Sequence, residues 1–200
     1  IVDLVRVFRL SEQDVMMGVL PLFHVFGHNA NFWLPLIVGM TNVTVANPLE
    51  YKNIPKIIRE EKPTMMAGTP IFFAGYLRES EPGDLASLRI VVPGADKTPD
   101  WLREGYRTKH GIELLEAYGT TETSPGVTVN TPEANRPGSI GRPLPGVQLK
   151  IADLSTGAAL GPGEEGKIMV KGDLVMKGYF DDLEETALHI KDGWYDTGDM

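Results

Sequence analysis

No cysteine occurs among the 200 residues. That absence excludes disulfides, thiolate metal sites and a cysteine nucleophile, and it fits a reducing compartment. Positive charge is also scarce. Lysine and arginine number 19 against 27 acidic residues, a formal net charge of −8. A nucleic-acid binder needs a basic face to neutralise phosphates, so that class is set aside. Long apolar runs are missing too. The longest, residues 15–23 and 32–40, each contain a proline and fall short of the ~18 residues of a spanning helix. The first ten residues, IVDLVRVFRL, show no basic leader with a cleavage site. No initiator methionine opens the chain, and it stops at Met200 straight after a Thr-Gly-Asp turn. Both ends therefore read as cut. The expected location is cytoplasmic, with a peripheral membrane association open to the full-length parent. No repeat and no low-complexity segment is found.

What is present has the balance of a globular protein, 42% hydrophobic and 23% charged. The length is ample for one core or two small domains. The first two thirds alternate between strand and helix signals. Asn53 is placed to cap a helix over Ile54–Glu61 with Ile54, Ile57 and Ile58 on one face, and Pro63 ends it. Residues 64–67 follow as a short strand. Thr69-Pro70 predicts a helix start running to about Arg78, and Thr98-Pro99 another running to about His110, closed by Gly111. Residues 88–92 and 112–117 read as buried strands. This alternation implies a parallel sheet with right-handed crossovers. From about Asn130 glycine and proline become dense and helix signals fade. Short alternating runs at 147–151, 167–170 and 175–179 predict a β meander or partial barrel, with a short helix over 181–188 and a last strand at 194–197. The expected architecture is thus a parallel α/β subdomain over residues 1–130 and a β-rich subdomain over 131–200.

In a parallel α/β sheet, ligands sit beyond the carboxyl ends of the strands. Two loops leave such ends, Pro93-Gly94-Ala95-Asp96 and Tyr118-Gly119-Thr120-Thr121-Glu122. Glycines permit close approach of backbone to a ligand. A tyrosine face can stack on a base, hydroxyls can bond phosphate oxygens, and a carboxylate is a hard ligand for Mg²⁺. Taken alone, GTTET is equally an ordinary turn leading into a helix cap. His24, in the run PLFHVFG, suits the lining of an apolar substrate tunnel, and as a single residue it also reads as a satisfied core histidine. Asp199, at the end of WYDTGD, suits ribose hydroxyls or is one more acidic turn.

Taken together and in order, PLFHVFG, YGTTET, GRPLPG, EGKIMVKGDLVMKGYF and GWYDTGDM closely resemble the motifs of the adenylate-forming superfamily: acyl-CoA synthetases, peptide-synthetase adenylation domains and luciferases. VVPGADK, YGTTETSP and RPGSIGRPLPG look most like the branch of acyl-acyl-carrier-protein synthetases and acylglycerophosphoethanolamine acyltransferases. The resemblance covers nearly the whole chain. It implies that Tyr118 stacks on adenine, that Thr121 contacts the α-phosphate of ATP and that Glu122 holds Mg²⁺. It also implies that Gly94, Ala95 and Asp96 border the adenine with Gly119 and Thr120 beside them. Asp199 then binds the ribose, and Phe23, His24 and Gly119 border the acyl group. Gly126 and Arg142 read as structural.

Two parts of the family pattern are missing: the Ser/Thr/Gly-rich phosphate loop ending in lysine, and the C-terminal domain with its catalytic lysine. The chain is therefore expected to be a central piece of the large domain that folds at least partly but does not turn over ATP by itself, with self-association of the piece favoured by uncovered surface. The implied reaction joins a fatty acid to ATP as acyl-AMP, then passes the acyl group to the thiol of CoA or of an acyl carrier protein. Two other readings stand beside it: an amino-acid-activating domain, and a nucleotide- or acyl-binding lobe without chemistry. Arg103, Arg107 and His110 recur at helical spacing, which suggests either a basic spot for phosphopantetheine or an acidic carrier, or a solvated helix face.

Overall fold

The computed structural model describes residues 1–200. Helix α1 (Val2–Phe8) leads to strand β1 (Val15–Gly18). A continuous helical stretch follows, as α2 (Val25–Gly27), a π turn (His28–Trp33) and α3 (Leu34–Val38). Next come β2 (Thr41–Thr44), α4 (Ile54–Glu61), β3 (Met65–Gly68), α5 (Pro70–Glu79), β4 (Ile90–Pro93) and α6 (Asp100–His110). These four strands pair in parallel in the order β2-β1-β3-β4. Side chains alternate across the sheet. Met65, Ile90 and Val92 enter one core with α1 and the 25–38 helix, while Met66 and Val91 enter the other with Ile58, Phe73, Leu102 and Tyr106. Both faces are covered, as a parallel sheet requires.

The rest is antiparallel. β5 (Ala117–Tyr118), β6 (Thr128–Val129) and β7 (Arg142–Pro143) form a small sheet, in that order. β8 (Gln148–Ala152) and β9 (Lys167–Lys171) pair, and after α7 (Leu183–His189), β10 (Ile190–Lys191) and β11 (Trp194–Asp196) complete the order β10-β11-β9-β8. The α/β layer and the β-rich piece match the expected fold class.

Several local expectations are corrected. Asn53 and Thr69 precede helices but make no side-chain cap bond, and Pro99 rather than Thr98 occupies the cap position of α6. The strand expected over 112–117 touches the parallel sheet only through Leu114 beside Val91. Its chain then turns away to pair antiparallel with β6, so Glu116 does not lie in a strand. Residues 175–179 form no strand, apart from an isolated bridge between Tyr179 and Asp182. The π turn has a local cause. Pro35 lacks an N–H, so the Asn31 carbonyl four residues back loses its helical partner. The Asn42 side-chain amide supplies that bond instead, and the widened turn relieves the crowding of the proline ring against it.

Candidate functional site

A pocket of about 210 Å³ opens beyond the carboxyl ends of β1 and β4. It is lined by His24, Gly94, Ala95, Tyr118, Gly119, Thr120 and Thr121, together with Phe26. Three separated loops thus deliver seven of the residues singled out in the sequence to one place. Beside it lies a larger, mainly apolar cavity of about 560 Å³, walled by Phe8, Leu34, Val92 and Leu144 among others. The two share Phe26, Ala117, Pro125 and Gly126.

Local chemistry explains each placement. His24 caps α2, its Nδ1 accepting the Phe26 N–H at 3.1 Å. Imidazole Nε2 is left without a protein partner at the pocket rim. Gly94 is buried against Phe26, where a Cβ would stand 3.2 Å from the ring. Ala95 adopts a left-handed conformation, φ 65°, uncommon for a residue with a Cβ and a mark of a constrained loop. Gly119 is required by close approach, because a Cβ there would run into the Pro125 carbonyl oxygen.

The threonines of GTTET divide their tasks. Thr123 is fully buried. Its Oγ1 accepts the Thr120 N–H at 2.9 Å and lies 3.1 Å from the Pro125 carbonyl oxygen. Thr121 is exposed at the pocket edge and free for a ligand. Sequence reasoning passed over Thr123; its burial follows from the turn closing back on Pro125. Tyr118 and Asp199, 81 residues apart, meet directly. The Tyr118 hydroxyl donates to Asp199 Oδ2 at 2.6 Å. Burial, then this carboxylate, push the Tyr118 hydroxyl well above its ordinary pKa, so it stays a donor.

Besides Asp199, three residues stand outside the pocket lining. Phe23 is 93% exposed, and Phe26 takes the wall position three residues on. Asp96 is exposed and its carboxylate accepts the Lys97 N–H at 2.7 Å. Glu122 sits beneath the rim, its Oε1 accepting from the Tyr179 hydroxyl at 3.3 Å. No hydrogen bond engages Oε2. No group of three or more His, Cys, Asp or Glu residues is placed to hold a metal ion. One free carboxylate oxygen is the donor set expected where phosphate and water supply most of a Mg²⁺ shell, rather than a resident metal cage.

The basic spot on α6 does not form. Arg103 Nη1 donates to Glu116 Oε1 at 3.0 Å, and its other nitrogen pairs with Asp100. Glu116 Oε2 in turn accepts the Gly138 N–H at 2.7 Å, tying α6 to the glycine-rich turn. Arg107 is paired with Glu104. His110 shares a 2.9 Å bond with Ser80, and burial holds its pKa below the usual value, with Lys109 adding to the shift. Arg103 and His110 are used inside the fold, whereas Arg107 stays on the solvated face of the helix, its side chain 60% exposed beside Glu104, so no free basic patch is left. Gly141, in GRPLPG, is structural: φ is 85° and a Cβ would strike the Val129 backbone.

Comparison with known proteins places these features in context. A family model described as AMP-binding enzyme matches residues 2–180. A long-chain-fatty-acid–CoA ligase of Bacillus subtilis is 38% identical over 192 residues, which cover 94% of this chain and 34% of that protein. Among solved structures, ATP-bound MatB from Rhodopseudomonas palustris aligns with a TM-score of 0.92 at 28% identity, over 98% of this chain and 39% of that one. O-succinylbenzoate coenzyme A synthetase from Bacillus subtilis, in complex with ATP and a magnesium ion, aligns with a TM-score of 0.88 at 32% identity, over 98% of this chain and 41% of that one. The chain spans about a third of the length of the curated ligase it matches. No helix is long and apolar enough to cross a membrane.

Proposed function

Because the chain belongs to the AMP-binding enzyme family, we propose that it carries the nucleotide and acyl site of an acid–thiol ligase that forms acyl-AMP from a fatty acid and ATP. The acyl group then passes to a thiol, that of CoA by likeness to the relatives, with an acyl carrier protein as the other acceptor. The observation that carries this reading is the pair of joined spaces. The smaller pocket holds hydroxyls, glycine backbone and an aromatic ring, and the apolar cavity of about 560 Å³ adjoins it through Phe26 and Ala117. A carboxylate with an apolar tail needs both.

In this reading Tyr118 lies along the adenine and Asp199 takes the ribose hydroxyls. Their mutual hydrogen bond pre-sets the two for one nucleoside. Gly94 and Ala95 bring backbone close to the base, with Asp96 at its outer edge. Thr120 and Thr121 offer hydroxyls to the phosphates, His24 stands by the reacting carboxylate through its free ring nitrogen, and Phe26 takes the wall position expected of Phe23. Glu122 Oε2 is the protein ligand of a Mg²⁺ ion, which when bound would offset negative charge on the phosphate oxygens. Residues 1–130 contribute the pocket and most of the cavity wall, and 131–200 contribute Asp199 together with Leu144, Val147 and Leu174 on the cavity's β-rich side. The apolar cavity argues against an amino-acid-activating site, and a Glu122 carboxylate oxygen kept free argues against a lobe without chemistry.

The test is ATP–pyrophosphate exchange by the full-length protein with fatty acids and with amino acids. Fatty acids should support exchange and amino acids should not. Glu122→Gln should lower exchange by about a hundredfold or more, the scale set by losing one preorganised electrostatic contact. Exchange driven by amino acids alone would overturn the assignment.

A further inference from the structure

After β9 the chain does not continue as a strand but crosses over the 118–126 loop and is fastened to it. The Met176 N–H donates to the Glu122 carbonyl at 2.8 Å. Ser124 Oγ donates to the Leu174 carbonyl at 3.0 Å. The Tyr179 hydroxyl is the sole hydrogen-bond partner of the Glu122 carboxylate, at 3.3 Å through Oε1. Tyr179 is itself held, its N–H donating to Thr186 Oγ1 at 2.9 Å and its ring edge-on to His189 at 6.0 Å between centroids. Behind it stands Tyr195, 4% exposed, its hydroxyl close to those of Tyr179 and Thr120. Burial first, then the Glu122 charge, keep the Tyr195 hydroxyl protonated. The Tyr195 hydroxyl thus stands beside the Tyr179 hydroxyl that bonds Glu122.

We propose that Tyr179, backed by Tyr195, is a positioning residue that holds the Glu122 carboxylate by Oε1 so that Oε2 is ready for a divalent cation. This rests on the reading of Glu122 as the cation carboxylate. The physical reason is rotamer freedom. A free glutamate side chain has several bonds to freeze when it takes a ligand. One already held by a hydrogen bond has fewer left. A carboxylate has lone pairs enough on two oxygens to serve both partners. Nothing in the sequence pattern announces this: Tyr179 follows Glu122 by 57 residues and lies in a run that reads as an alternating strand.

The experiment uses the full-length protein and Mn²⁺ as the probe, with a non-hydrolysable ATP analogue, followed by electron paramagnetic resonance. Tyr179→Phe keeps the ring and removes only the hydroxyl. It should weaken Mn²⁺ binding by about tenfold, the scale of one hydrogen bond to a charged group, and raise the half-saturating cation concentration in pyrophosphate exchange without changing the KM for fatty acid. Tyr195→Phe should act in the same direction and more weakly. Tyr179→Phe should add nothing in a Glu122→Gln background. Without nucleotide or metal, amides 118–126 should exchange hydrogen faster in Tyr179→Phe. Should that variant fail to fold, Tyr195→Phe carries the same comparison. If Glu122→Gln weakens Mn²⁺ binding while both folded Tyr→Phe variants bind it normally, the positioning role is overturned and the reading of Glu122 survives. If Glu122→Gln itself leaves Mn²⁺ binding unchanged, that reading falls and the proposal falls with it.

Discussion

The two main sheets are built on opposite plans. In the parallel sheet every residue of β3 and β4 is buried, and the strands read MMAG and IVVP without alternation. In the antiparallel sheet β9 alternates half-buried and buried positions along KIMVK. The first sheet packs against two clusters of 14 buried residues each, the second against one of three, so far less apolar area secures the second. The candidate site straddles both. Its pocket walls at His24, Phe26, Gly94 and Ala95 stand on the thick layer and those at 117–126 on the small β5-β6-β7 sheet, while Asp199 and Tyr179 come from the thin one. A ligand touching both would therefore stiffen the weaker partner.

Core truncation should break this contrast most visibly. Phe73→Ala, in the double-layer core, should cost about 3–5 kcal/mol. Val170→Ala, in the three-residue cluster, should cost about 2 kcal/mol, at ~0.8 kcal/mol for each buried carbon removed. Urea titrations of the two variants measure the difference, and equal losses would erase the distinction between thick and thin.

A second comparison sets Glu116 against Glu122. Removing Glu116 leaves Arg103, whose side chain is 16% exposed, with only the exposed Asp100 and the Thr98 carbonyl as partners, and frees the Gly138 N–H. Glu116→Ala should therefore lower stability by about 2 kcal/mol, whereas Glu122→Gln should change it by no more than ~0.5 kcal/mol. Thermal unfolding of both variants decides it. A stable Glu116→Ala would mean the glycine-rich turn does not depend on α6.

The smallest effect is in pH. Burial alone would raise Asp14, but hydrogen bonds from Thr64, the Ser11 N–H and Arg89 outweigh it and hold the carboxyl below its ordinary value. A depressed folded pKa contributes stability that is present above the unfolded value, near 3.8. That stability is lost as pH falls through the lower folded value. Asp196, which burial raises but Lys167 and the Gly198 N–H bring down further, behaves alike in the thin sheet. Below about pH 4 the stability of the wild type should therefore fall more steeply than that of Asp14→Asn. Parallel curves would assign the acid loss to other groups.

Helix ends were legible where a residue acts on the backbone alone. Pro70 opens α5 and Gly111, at φ 68°, closes α6, because a fixed φ or a missing Cβ acts without neighbours. The strand expected at 112–117 failed because its apolar run is buried by packing without a continuous ladder, and apolarity does not distinguish the two. In the site, Tyr118, Gly119, Thr120, Thr121, Gly94 and Ala95 were legible as strand-end loops, and His24 from the aromatic run around it. The choice of Phe26 over Phe23 was not, since it depends on where α2 begins and hence which way each ring points.

By itself, then, the sequence determined the alternation of elements, the switch to antiparallel strands and the loops rich in glycine and hydroxyls, all properties of near neighbours along the chain. Tertiary structure alone decided the pairings that cross long separations: Tyr118 with Asp199 and Tyr179 with Glu122. A hydrogen bond depends on distance and direction in space, and those are set only when two independently packed sheets meet.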